Sequence, residues 1–233
     1  MRVMGIDPAM NNCGYCMAEV SEESFVGDAK YPTWWKKPIG IPNFGQIGIQ
    51  GLTVSGPFKA NAAKHIRVKR QFTQFLEHYN RFKPNVLVFE AQLDVGISKS
   101  VTGVALQFLL TAPFIETTQS DYTLLGDHLP EYVILIRPER LQSLAHNEKT
   151  THESTVITRA SEVWPTKGFA VDHIADAAFL TYFGTRFVKV CLEKKWAPNV
   201  LSSQELSVFL TSPKPMSKYE DSNWWSPKKV LSR

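Results

Sequence analysis

The chain has 233 residues, 43% of them hydrophobic and 21% charged, and carries a formal net charge of +4. That length and composition describe an ordinary globular protein able to bury a substantial core without staples. The mild positive balance permits a nucleic-acid partner without requiring one, and three cysteines in a chain of this size argue against a disulfide framework and for a reducing compartment.

Arg2 to Ile6 reads as a short buried strand that closes at Asp7-Pro8, and Gly14 to Val20 as a second strand reached through a tight Asn-containing loop. The apolar opening meets Asp7 at once, which argues against a signal peptide. No apolar run reaches the ~18 residues of a membrane span; the expectation is a soluble, intracellular protein. Cys13 and Cys16 form a C-x-x-C, but no second Cys or His pair completes a four-ligand site, so they read as small residues at the entry to a strand. Residues 21 to 57 are irregular around Trp34-Trp35-Lys36-Lys37 and read as an insertion, within which Gln46 to Val54 could supply a third strand.

Asn61 is placed to cap a helix over Ala62 to Phe82, whose Phe72, Phe75, Leu76, Tyr79 and Phe82 recur at three- and four-residue spacing. Pro84 stops it. Asn85 to Glu90 follows as a strand whose unbroken apolar run suits burial on both faces. A helix from Ser98 or Ser100 to near Pro113, a fifth strand over Tyr132 to Ile136, a helix over Lys149 to Val163 and a last helix over Asp172 to Phe187 complete the domain, residues 1 to 190. Residues 191 to 233, with four prolines and Trp224-Trp225, read as a C-terminal extension packed partly on it. Strands and helices in this order predict an α/β fold, a mixed five-stranded sheet flanked by helices.

Three places set a carboxylate where an apolar element begins or ends: Asp7, Glu90, and Asp172 with Asp176 in Val171-Asp172-His173-Ile174-Ala175-Asp176. On a helix Asp172, His173 and Asp176 share an arc of roughly 100°. An acid at the end of an apolar strand is costly to bury, and no lysine or arginine stands close by in sequence. A divalent cation resolves that conflict. Magnesium takes oxygen ligands, and two ions about 3.5–4 Å apart stabilise both the attacking and the leaving oxygen of a phosphodiester. Taken singly, Asp7 could form a turn, Glu90 could exit to solvent and Asp172 could cap a helix.

Met4-Gly5-Ile6-Asp7-Pro8-Ala9 with Gly14 following, Val86-Leu87-Val88-Phe89-Glu90, and Asp172-His173-Ile174-Ala175-Asp176-Ala177-Ala178, in that order, resemble the three acidic motifs of RuvC-type Holliday-junction resolvases. The resemblance implies a ribonuclease H-like fold, a homodimer, branched DNA as partner, and hydrolysis with two Mg2+ ions per site, for which Mn2+ would substitute. It carries Asp7, Glu90 and Asp176 over as metal ligands. The fourth is Asp172, or His173 three residues before the final aspartate. Lys149 stands nearest the family's lysine, to neutralise charge on the phosphate. Ala9 departs from the usual glycine, and neither the insertion nor the extension has a family counterpart.

For DNA contact the cations around the first long helix, Lys59, Lys64, Arg67, Lys69 and Arg70, could neutralise phosphates. The loop Leu93 to Lys99 could enter a junction, and the two Trp-Trp pairs beside Lys36-Lys37 and Lys228-Lys229 could stack on bases or simply pack. Two other classes compete. One is a ribonuclease H-like nuclease for flaps, hybrids or packaging intermediates; the other is a non-catalytic junction-binding protein. An actin-like ATPase, which also opens on Gly-Ile-Asp, needs two lobes and more chain.

Overall fold

The structure, a computed structural model, describes residues 1–8, 12–20, 43–48, 59–91, 106, 109–114, 124–146, 153–165, 167–215 and 223–227. Its strands are β1 (Arg2–Asp7), β2 (Asn12–Glu19), β3 (Asn43–Gly48), β4 (Val86–Glu90), β5 (Tyr132–Ile136), β6 (Lys214–Pro215) and β7 (Asn223–Trp225). Its helices are α1 (Lys59–Phe82), α2 (Pro138–His146), α3 (Glu153–Val163), α4 (Asp172–Phe187) and α5 (Ser203–Thr211). One mixed sheet runs in the order β3-β2-β1-β4-β5-β7-β6. β1, β2 and β3 form an antiparallel meander, and β4 and β5 lie parallel to β1. A parallel pair needs a crossover; α1 supplies the one into β4.

β1, β2, β4 and β5 fall on the runs expected for them. β3 covers Asn43–Gly48 rather than Gln46 to Val54, so part of the stretch read as an insertion is a sheet strand. The extension contributes the other two: β7 pairs antiparallel with β5, Val133 opposite Trp225, and β6 pairs with β7. The edge of β5 presents unpaired backbone groups that another segment must cover. Trp225 is buried and its Nε1 donates to the Phe114 carbonyl at 2.7 Å, while Trp224 meets Tyr132 edge-on at 6.2 Å. Trp225 is therefore core packing, and Trp224, half-buried, packs against the α4-side core. Helix α1 starts at Lys59, and Asn61, expected as its cap, lies inside the first turn, because Lys59 and Ala60 are themselves good helix formers. Of the helix expected to end near Pro113, the described residues include a helical stretch over 109–111 and a 3-10 turn at Ala112–Phe114.

Strand side chains alternate between faces, and here the alternation separates two cores. Val3, Cys16, Val86 and Val88 pack with Phe179, Phe183 and Leu180 of α4. Met4, Ile6, Leu87 and Phe89 pack with Phe75 and Tyr79 of α1 on the other face. Cys13 belongs to the α1 side and Cys16 to the α4 side. Residues three apart on a strand point in opposite directions, so this C-x-x-C cannot close a ring or share a metal. Burial also pushes the Cys16 thiol up to about 12.

Helix α4 lies directly on the sheet because three glycines leave room for it. A Cβ on Gly5 would stand 2.3 Å from the Ala177 carbonyl oxygen, and one on Gly14 2.0 Å from that of His173. On the helix side, Gly184 gives the same room to Val88. Thr181, whose hydroxyl donates to Ala177 O at 2.8 Å and Cys16 O at 3.2 Å, fastens the helix to β2. Gly14→Ala is therefore expected to lift the first turn of α4 from β2 and to cost about 1–3 kcal/mol of stability, the usual penalty for overpacking. A urea melt giving a loss under ~0.5 kcal/mol would show that the turn shifts freely.

Candidate active site: carboxylates at one end of the sheet

Parity decides which way the strand acids point. Asp7 shares the face of Val3 and Gly5, and Glu90 that of Val86 and Val88, so both turn toward α4. Register brings them together: Gly5 pairs with Val88 and Ile6 with Phe89, and the next rung of the parallel ladder is Asp7 beside Glu90. Asp176 comes down from α4. One carboxylate oxygen from each of Asp7, Glu90 and Asp176 lies within 4.8 Å of the others. Three residues separated by 83 and 86 positions in the chain thus converge on one point.

Asp7 is buried, 3% exposed, while Glu90 and Asp176 keep partial contact with solvent. Burial, then the nearby charges of Asp7 and Asp176 and a hydrogen bond with Asp7, hold the Glu90 carboxyl well above the usual carboxylate range. Glu139, in the first turn of α2, adds to the crowding. Like charges this close oppose joint ionisation.

His173 answers part of that charge. Its Nδ1 lies 2.6 Å from Asp7 Oδ2, and its Nε2 3.8 Å from Asp172 Oδ1. The hydrogen bond to Asp7 is the main cause raising the imidazole to about 9, against an opposing effect of burial. At neutral pH the ring is a cation wedged between two carboxylates. Asp172 is the first residue of α4, and its Oδ1 accepts from the His173 backbone N–H at 2.9 Å. The residue in the capping position is Val171, with no side-chain cap.

The residues predicted for the site fall into three groups. Asp7, Glu90 and Asp176 meet in the cluster. Asp172 stands outside it, on the rim, and His173 bridges the two. Lys149, Lys99 and the loop Leu93 to Lys99 lie outside the described residues, as do Trp34-Trp35, Lys36-Lys37 and Lys228-Lys229. Lys59 and Lys64 stand on α1 but their side chains are not among those described; Arg67 is half-buried, and Lys69 and Arg70 are exposed. Two neighbours escaped the sequence reading. Glu139 is one. The other is Arg137, which follows Ile136, the partner of Glu90 across β4 and β5, and forms an ion pair with Glu139 at 3.6 Å. Nothing in the spacing of Arg137 marks it, because its place depends on β5 lying beside β4.

The donors are all oxygens, two of them still in reach of solvent, and burial with the neighbouring acids opposes ionisation of Glu90 unless its charge is offset. That chemistry fits a hard divalent cation better than a soft one.

No family model matches the sequence, and no curated protein does. Solved structures do. RuvC of T. thermophilus in complex with a Holliday junction substrate aligns at 17% identity with a TM-score of 0.52, over 78% of this chain and 91% of that one. A second structure of Thermus thermophilus RuvC aligns at 17% identity with a TM-score of 0.51, over 78% and 92%. The likeness is one of fold, and the chain has the ribonuclease H-like architecture expected from its motifs. Among the described residues no helix is long and apolar enough to cross a membrane.

Proposed function

We propose that the protein is a divalent-cation-dependent endonuclease that cleaves phosphodiester bonds in four-way or other branched DNA. The observation that carries the reading is the convergence of Asp7, Glu90 and Asp176 within 4.8 Å at one end of the sheet, on a fold shared with RuvC.

Asp7, Glu90 and Asp176 would hold Mg2+, or Mn2+ in its place, and Asp172 on the rim would serve a second ion. Such ions supply a nucleophilic water at neutral pH and stabilise charge on the transferred phosphate. The protein's own side chains do the rest. Asp7, fixed by β1 and pinned through Oδ2 by His173, presents its remaining oxygen in one orientation. His173 carries a proton on Nδ1 and sets its Nε2 toward Asp172, which makes it the proton carrier nearest the carboxylates. The Gly5 and Gly14 contacts hold Asp176 and His173 against the strand ends; a shift of about 1 Å at such a site costs about 100-fold in rate. A homodimer with two such sites would nick a junction symmetrically.

The test is cleavage of an end-labelled four-way junction with Mg2+ by the wild type and by Asp7→Asn. Paired nicks that disappear in the variant, with junction binding retained, are expected. Equal cutting of linear duplex would make it a general DNA nuclease, and binding without cleavage in the wild type would make it a junction-binding protein.

A further inference from the structure

Helix α1 is longer than the sheet it covers, and the surplus lies at the acid-bearing end. Phe75 contacts Phe89, the residue before Glu90, with ring centroids 6.1 Å apart, and His78 meets Tyr15, the partner of Ile6, at a tilt with centroids 4.4 Å apart. At the other end of the helix, Lys83 follows the last turn and Asn85 donates to the Arg2 carbonyl, at the start of β1. The helix therefore runs antiparallel to β1 and β4, and its residues before Phe75 carry it past the level of Asp7 and Glu90. At ~1.5 Å per residue the stretch from Phe75 back to Lys59 is about 24 Å long; Val68 and Phe72 still pack on the α1-side core, and the residues before Val68 extend beyond them.

Its composition is one-sided. From Lys59 through Leu76 there are five cations, Lys59, Lys64, Arg67, Lys69 and Arg70, and no Asp or Glu. Glu77 is the first acid on the helix. The overhang is also held in place: Val68 and Phe72 pack against the α1-side core, while Lys69 and Arg70 face outward with Thr73 and Gln74 along the groove they line with Ile66 and Glu77. A solvated helix face commonly mixes both signs for solubility and i,i+4 pairing. This one carries a single sign over the length that projects beyond the carboxylates.

We infer that this overhang is a clamp for duplex DNA, gripping the phosphates of the arm that leads away from the cleaved bond. The inference rests on the proposed nuclease reading and adds where the substrate is held. The acid cluster repels phosphates, so affinity must come from elsewhere, and the overhang, with Lys69 and Arg70 exposed on it, lies at the same end of the fold. Measured from Phe75, Arg67 to Lys59 reach about 12–24 Å along the helix, which corresponds to roughly four to seven base pairs. Each phosphate contact contributes to binding without reading sequence.

The experiment measures binding of a fluorescent four-way junction by full-length protein in EDTA, from 50 to 300 mM salt. It compares wild type, Arg67→Gln/Lys69→Gln/Arg70→Gln, and Lys194→Gln, an exposed cation on another surface. Glutamine keeps the helix propensity of the residues replaced, and circular dichroism with melting verifies the fold. The triple variant is expected to bind about 10- to 100-fold more weakly at 150 mM salt, with a log–log salt slope shallower by about 2–3, since each contact contributes about 0.9. Trimming the junction arms below about seven base pairs should abolish the difference between wild type and triple variant. A slope unchanged in the triple variant, or reduced as much by Lys194→Gln, overturns the clamp. Because binding is read without cleavage, a wild type that binds through the overhang but never cuts would sink the nuclease reading alone.

Discussion

Replacing Glu90 by Gln is expected to lower junction cleavage at least 1,000-fold and, in the same protein, to raise the melting temperature measured in EDTA at pH 8. Removing one ligand of a catalytic cation costs several kcal/mol of transition-state stabilisation, and each 1.36 kcal/mol is tenfold in rate. The gain in stability has a separate origin. The Glu90 carboxyl is held well above its ordinary range, first by burial and then by Asp7 and Asp176. A group whose folded value is raised contributes stability below its unfolded value, near 4.5, and that contribution is lost as pH rises through the folded value. An acid at position 90 is therefore a cost to the folded state that grows as pH rises above about 4.5, and the neutral, isosteric amide removes it. Calorimetry in EDTA at pH 5 and pH 8 checks this, with the variant's advantage growing with pH. A variant that melts below wild type at pH 8 would show that the cluster is relieved by some other route. Added Mg2+ should raise the wild-type melting temperature and move the variant's much less, because a ligand that binds only the folded state stabilises it.

The second large effect lies away from the site. Arg186 of α4 is fully buried and its Nε stands 2.6 Å from Glu205 Oε1, with Nη2 to Oε2 at 3.0 Å. The guanidinium also donates to the Val200 carbonyl and lies over the Tyr182 ring at 4.9 Å. Glu205 in turn accepts from the Ser202 backbone N–H at 2.7 Å and closes the capping box that begins α5. One carboxylate thus ties the extension to the helix that carries Asp172, His173 and Asp176. Glu205→Ala strands a buried cation and is expected to cost about 3–5 kcal/mol. For a chain of this size that is a fall of about 10 °C in melting temperature. Replacing both partners, Arg186→Met with Glu205→Leu, should recover most of the loss, since a buried ion pair contributes little net stability over apolar packing. Thermal and urea melts of wild type, Glu205→Ala and the double variant check this, and a single-variant loss below ~1 kcal/mol would show that the extension does not brace α4.

How much of this was legible in the sequence differs from element to element. Helix α4 was placed over Asp172–Phe187 by its own apolar pattern. The strands β1, β4 and β5 announced themselves as short apolar runs, because a strand covered on both faces has no polar side to hide the signal. Asp7 and Glu90 stood out for the same reason, as charges at the ends of runs that tolerate none. The α1 periodicity was equally plain, though not its start, since Lys59 and Ala60 extend a helix as readily as they precede one. β6 and β7 could not be read: two- and three-residue strands have no period, and the Trp224-Trp225 pair suits a stacking platform as well as a core until β5 is seen to lack a neighbour.

The order of the first five strands, the acidic positions and the one-signed charge of the first turns of α1 were thus determined by local sequence alone, through periodicity and charge. Only the tertiary structure decided that Asp7 and Glu90 share a rung and a face, that His173 lies on Asp7, and that Asp172 stands apart from the cluster. Those facts depend on register and on how closely α4 approaches the sheet. That approach is set by Gly5, Gly14 and Gly184, residues whose contribution is the space they leave, and space between distant segments has no signature in a linear sequence.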